Sequence, residues 1–154
     1  MKKLITGILA LLLCLLMLPA ALADGDVPPA EWIASGKSSF VEKYVGQRTA
    51  DYSLTYVSGG ITPGTGRVTI ASTTEGNLVA DTLTARLTIQ QWANNQWNYY
   101  FACTVATDGE LTLTYSRVVN VTPGYYYRLK VYHCGVCGGT IDDTTIYTKS
   151  VYVN

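Results

Sequence analysis

Apolar and polar residues alternate with a period of two along much of the chain after Gly66, the spacing of strands with one buried and one wet face. The clearest run is Thr82 to Gln90, where Leu83, Ala85, Leu87 and Ile89 alternate with Thr82, Thr84, Arg86, Thr88 and Gln90. Trp97, Tyr99, Phe101, Cys103 and Val105 share one parity, and Leu111, Leu113, Tyr115, Val119 and Val121 share the next. Arg117 interrupts that second set and predicts a bulge or a sheet crossing there. From Tyr125 to His133, Tyr127, Leu129 and Val131 are expected inward, with Tyr126, Arg128, Lys130 and Tyr132 outward. Arg67 to Ser72 and Thr144 to Val153 complete the strand set, with turns at Asp108-Gly109 and Pro123-Gly124. The pattern predicts an all-β, antiparallel sandwich or barrel over residues 66–154.

Parity also predicts one connection. If Leu87 and Ile89 share a core face with Tyr99 and Phe101, paired residue numbers sum to an even value, and the hairpin loop becomes the five residues Trp92 to Gln96. Trp92 is then expected in the loop, outside the core.

Upstream the pattern changes. Residues 24–65 are rich in Gly, Pro and Ser and predict an irregular N-terminal segment, with a short β-like stretch at Tyr52 to Val57. Phe40, Val41, Tyr44 and Val45 would permit one or two helical turns between Ser38 and Val45. Residues 1–23 read as a signal peptide: Lys2 and Lys3 precede an apolar run from Leu4 to Leu18, Pro19 breaks it, and Ala21-Leu22-Ala23 offers a small-x-small cleavage site. Cys14 does not suit lipoprotein processing, because Leu13 precedes it and leucines follow. The mature chain is expected to begin at Asp24 and to be secreted or associated with the cell wall, as one domain of roughly 130 residues.

At VTPGYYYRLKVY the sequence resembles the start of the sixth strand of an immunoglobulin or fibronectin type III sandwich. The resemblance implies that Tyr127 is the corner tyrosine, whose hydroxyl bonds back to the preceding connection. From about Tyr52 onward, through GGITPGTGRVTIASTTEGN, LTIQQW, GYYYRLKVYH, GGT and TKSVYV, the chain is similar to a family of small exported proteins of Gram-positive bacteria. No activity is established for that family, so the resemblance implies export and a small β domain but no mechanism. The cysteines of HCGVCGG depart from its pattern.

Charge excludes some partners. The formal net charge is +0, and it turns slightly negative once Lys2 and Lys3 leave with the leader. No basic field remains for nucleic acid or for an anionic membrane. The mature chain keeps Cys103, Cys134 and Cys137 in a compartment that permits disulfides. A local Cys134–Cys137 bridge is expected, with a bridge from Cys103 to one of them, free thiols or a zinc site including His133 as the alternatives. No cofactor or metal is expected. His133, the single histidine, could act as a base with Cys103 or Cys137 in a secreted hydrolase or redox protein, but nothing supplies an oriented third member. Asp142 and Asp143 are strand neighbours that point apart, and GGITPGTG lacks the Lys-Ser/Thr ending of a phosphate loop. The sequon Asn120-Val121-Thr122 is given no role.

Outward aromatic side chains are the more promising feature. Tyr126 and Tyr132 flank Arg128 and Lys130, Tyr100 is expected outward on a neighbouring strand, and Trp92 is expected in the hairpin loop. Trp92, Tyr100, Tyr126, Arg128 and Tyr132 form a candidate face for an extracellular carbohydrate or protein. The leading expectation is thus an exported, non-catalytic binding or interaction module. Besides the hydrolase or redox alternative, a self-associating surface or matrix component would use exposed edge strands.

Overall fold

A computed structural model describes residues 27–45 and 54–154. A 3-10 turn (Ala30–Trp32) precedes seven strands: β1 (Ser39–Tyr44), β2 (Leu54–Gly64), β3 (Arg67–Ala93), β4 (Gln96–Asn120), β5 (Tyr125–Cys137), β6 (Thr140–Tyr147) and β7 (Val151–Val153). All strand pairings are antiparallel. The signal peptide expected at 1–23 lies outside the described residues, as does part of the Tyr52 to Val57 stretch.

The long β3–β4 hairpin organises everything else. Residues 67–76 of β3 pair with β2 on one edge, residues 82–91 pair with β5 on that same edge, and β4 covers the opposite edge throughout. Between Glu75 and Ala80 the β3–β4 register shifts, and the hairpin folds over. One half becomes β1-β2-β3-β4 and the other β4-β3-β5-β6, with inner faces opposed. At the far side β1 approaches β6, where Lys43 Nζ donates to Thr144 Oγ1 at 2.9 Å. The result is an antiparallel sheet nearly closed as a barrel.

The core follows from the alternation. Val57 and Ile61 of β2, Val68 and Ile70 of β3, Leu87 and Ile89 of β3, and Tyr127, Leu129 and Val131 of β5 are all fully buried and belong to one cluster. The Tyr127 hydroxyl donates to the Thr122 carbonyl at 2.7 Å, five residues upstream, and accepts from Gln91 Nε2 at 3.0 Å. This bond ties the β4–β5 connection to β5. Burial pushes the phenol up to about 12, so it remains a donor at every physiological pH.

Several local expectations are corrected. Residues 39–44 form a strand, not a helical turn, and together with β2 they place regular structure inside the 24–65 segment expected to be irregular. Pairing with β2 along all six residues of β1 overrides the weak helical spacing. Asp108-Gly109 is not a chain reversal: β4 continues through it, Gly109 having φ +65°. The β3–β4 connection is a two-residue turn, Asn94-Asn95, with φ 55° and 58°, since Ala93 pairs with Gln96. Two left-handed residues make the tight turn whose twist suits a hairpin. The parity requirement that suggested a longer loop is met by a bulge at Tyr100, across which pairing passes from Gln90–Tyr99 to Ile89–Phe101. Trp92 therefore lies in β3, paired with Trp97 and only 6% exposed.

The opposed halves approach closely at Gly59, where a Cβ would lie 3.0 Å from Val131 Cγ2 and 3.4 Å from Ile146 Cδ1. Gly59→Val is expected to destabilise the fold by about 1–3 kcal/mol through overpacking, read as a lower urea midpoint at unchanged slope. An unchanged midpoint would contradict this packing of β2 on β5 and β6.

Candidate functional site

The outer face of the second half-sheet is built by even-numbered residues of β3 and β5, whose odd-numbered neighbours fill the core. Register aligns them in rows across the strands. One row runs Thr104, Arg86, Tyr132, Thr145; the next sets Ala102, Thr88, Lys130 and Tyr147 side by side. Short and long side chains are interspersed along and between these rows, and together they line a hollow of about 590 Å³. Threonines 84, 88 and 104 contribute hydroxyls to its lining, and Arg86, Tyr99, Lys130 and Tyr132 line it with them. Tyr99 is 69% exposed.

Aromatic rings and cations lock one end of this face. Trp92 and Trp97 meet at 5.1 Å between ring centroids, and Trp32 of the 3-10 turn packs edge-on to Trp92 at 5.8 Å. The Arg128 guanidinium lies 4.3 Å from the Trp97 ring and 4.9 Å from the Tyr147 ring, and its Nε donates to Gln90 Oε1 at 2.9 Å. Such stacking fixes Arg128 between two rings. Its pKa is lowered by desolvation, an effect partly offset by Tyr147. The N-terminal segment is held here because Ser150 N–H donates to the Trp32 carbonyl and Ala34 N–H donates to the Ser150 carbonyl, at 2.6 and 2.8 Å. It thus covers the tryptophan end and leaves the hollow open.

The five residues expected to form one face are dispersed. Arg128 and Tyr132 lie on it as expected. Tyr126 lies further along β5, stacked on Tyr152 at 5.1 Å and lining a second depression with Ile33 and Pro63. Trp92 is beneath Trp32 and not in a loop. Tyr100 is turned by the bulge toward the core, edge-on to Tyr127 at 5.3 Å, and its hydroxyl accepts from the Thr122 N–H at 3.1 Å. The bulge that turns Tyr100 inward turns Tyr99 outward, and so the tyrosine at the hollow is one residue earlier than expected. Arg86, Thr84 and Thr88 were legible as the wet side of their strand, yet that pattern alone gave no reason to join them to the tyrosines.

The Tyr132 phenol is pushed up to about 12, chiefly by its hydrogen bond to Asp143, with burial and Cys134 adding to it. Asp143 stands beside Cys134 on the neighbouring strand and holds this ring in place.

No disulfide forms among the three described cysteines, which corrects the expected Cys134–Cys137 bridge. The HCGVCGG segment is the end of β5 rather than a loop, and the reversal follows at Gly138-Gly139, with φ +56° and +84°. Three residues of extended chain separate the two Cα atoms by about 10 Å. A disulfide tolerates about 7 Å at most. Cys103 sits across β3 from β5, two strand spacings or about 10 Å from the nearest β5 backbone.

His133 is fully buried, and its Nδ1 lies 2.7 Å from Thr74 Oγ1 of the opposed half-sheet. Cys103 is on the far side of β3, and Cys137 is about 13 Å along the strand, so neither thiol reaches the imidazole. Nε2 has no partner among the described residues, and burial lowers the His133 pKa to about 4. The ring is a neutral part of the core.

Comparison with protein-family models finds no match, and a search of curated proteins finds no relative. No helix among the described residues is long and apolar enough to cross a membrane.

Because the unfolded imidazole titrates near 6.5 and the folded one at about 4, only the unfolded chain gains the proton as pH falls through that window. The stability contributed by neutral His133 is complete above about pH 6.5 and gone below about pH 4, a loss on the order of 3 kcal/mol. His133→Leu is expected to flatten the slope of unfolding free energy across this range in chemical denaturation. Equal slopes in both proteins would remove His133 as the cause. For the cysteines, denatured and unreduced protein comprising residues 24–154 is expected to react with three equivalents of thiol reagent. A titre of one would restore a bridge.

Proposed function

We propose that this is an exported, non-catalytic binding module of immunoglobulin or fibronectin type III-like character, which takes an extracellular carbohydrate on the outer face of its second half-sheet. The observation that carries the reading is the hollow of about 590 Å³ lined by threonines together with Tyr99 and Tyr132. Sugars present apolar C–H faces and equatorial hydroxyls together, and a site suits them when it offers aromatic faces beside short polar side chains. Four paired strands hold these groups, and Asp143 restrains Tyr132, so little side-chain freedom is lost on binding. The bond from Tyr127 to Thr122 matches the role of a corner tyrosine and supports the immunoglobulin-like reading. The similarity to small exported Gram-positive proteins, together with the leader sequence, supports export. The distance of His133 from Cys103 and Cys137 favours binding over cysteine chemistry.

A second reading rests on β4. Its 25 residues pair only with β3, and Leu111 and Val118 on it are 49% and 55% exposed. An unpaired edge of this length suits self-association. Sedimentation at rising protein concentration tests it, and a strict monomer would sink it.

For the first reading, Tyr99→Ala and Tyr132→Ala are each expected to weaken binding to a carbohydrate found by array screening by about tenfold, with the melting temperature held within a few degrees. Unaltered affinity in both variants would remove this face as the site.

A further inference from the structure

We infer that the saccharide is acidic, its anionic group lying between Arg86 and Lys130; this rests on the carbohydrate reading above. Arg86 pairs with Tyr132, and Thr88 pairs with Lys130, which makes Arg86 and Lys130 diagonal neighbours on adjacent strands. Their Cβ atoms are then about 7–8 Å apart on one face, within reach of a common anion for two long side chains. Both line the hollow, and no carboxylate lines it with them.

Nearby acids are engaged elsewhere. Asp143 is bonded to Tyr132, Asp108 Oδ1 accepts from Thr82 Oγ1 at 2.8 Å, and Glu31 faces the separate depression beside Arg128 and Lys149. Arg86 has no ion-pair partner among the described residues. Lys130 makes only a loose contact with the Tyr147 ring, 5.7 Å from nitrogen to centroid. Arg128 is already stacked between two rings, so the cations free to meet a ligand are Arg86 and Lys130.

Two like charges at this spacing repel each other, and an anion bridging them relieves that repulsion while gaining charge-assisted hydrogen bonds. A neutral sugar would satisfy the tyrosines and threonines but leave both cations facing it. A carboxylate, a sulfate ester or a phosphate ester on the sugar satisfies all of them. The guanidinium fork offers two parallel donors to any of these groups, and the ammonium adds a point charge.

The test titrates the mature protein with matched pairs of oligosaccharides by calorimetry. The pairs are oligogalacturonate against its methyl ester, hyaluronate fragments against their methyl esters, and a sulfated and a phosphorylated maltotriose against maltotriose itself. At least one acidic member is expected to bind at least roughly tenfold tighter than its neutral partner at low salt, with the preference shrinking in 0.5 M salt. Which acidic member wins identifies the anionic group. Arg86→Gln and Lys130→Gln are expected to bring the acidic ligand down to the affinity of the neutral one without moving the melting temperature.

Equal binding of acidic and neutral partners, or variants that leave the preference intact, would overturn the charge inference while leaving a sugar site in place. Failure of every acidic and neutral saccharide at millimolar concentration would overturn the carbohydrate reading and this inference with it. Displacement by inorganic phosphate or sulfate as effectively as by the sugar would overturn the inference too, since only a bare anion would then be bound.

Discussion

The fold depends on keeping a side-chain period of two in phase along one very long hairpin while that hairpin doubles over. In β4 the inward residues are odd-numbered on both sides of the fold, from Phe101, Cys103 and Val105 to Leu113, Tyr115 and Val119. In β3 they are even-numbered before the fold, at Val68, Ile70, Ser72 and Thr74, and odd-numbered after it, at Leu83, Ala85, Leu87 and Ile89. The register shift between Glu75 and Ala80 makes that change of parity, because β3 carries more residues there than β4 opposes. Without the change, one half of the hairpin would turn its apolar side to water. A second correction, the bulge at Tyr100, lets a tight Asn-Asn turn close the same hairpin without inverting the core face.

These two corrections separate what could be read in the sequence from what could not. The alternation at Thr82 to Gln90 and Tyr125 to His133 is strong, and both runs are strands with the expected faces inward. Arg67 to Ser72 also reads correctly, but its parity is opposite to that of Leu83 to Ile89, so the two runs look like separate strands. Periodicity alone cannot join segments whose phase differs, because the joining residues are those that break the pattern. The N-terminal strands were missed for another reason. β2 contains Gly59, Gly60, Pro63 and Gly64, residues that signal turns in isolation. Here Gly59 is required by the close approach of Val131 and Ile146, and so the residue that lowers strand propensity is the one that admits the facing sheet.

The candidate site was legible in part for the same physical reason. Lys130 and Tyr132 were placed outward by simple alternation, and they line the hollow. Tyr99 and Tyr100 exchanged faces because a bulge shifts everything between it and the turn by one position. Cys134 and Cys137 show the converse error. Glycines around them suggested a loop, in which two cysteines three apart can meet, whereas pairing with β6 draws the segment out straight. A glycine-flanked motif is open to either state until a neighbouring strand is known.

Inside and outside are coupled through β5. Its odd residues carry Tyr127, Leu129, Val131 and His133 into the core, and its even residues carry Lys130 and Tyr132 to the hollow and Arg128 to the rings of Trp97 and Tyr147. The core side chains fix the height and rotation of the strand, with Tyr127 anchored to Thr122 at one end and His133 to Thr74 toward the other. A one-residue slip of β5 would bury Arg128 and Lys130 and expose Leu129 and Val131, a double cost that pins the register. The spacing of cations and rings on the outer face is therefore set by packing on the inner one. A surface held in this way needs no loop closure to form, so its side chains are already in place for the ligand proposed.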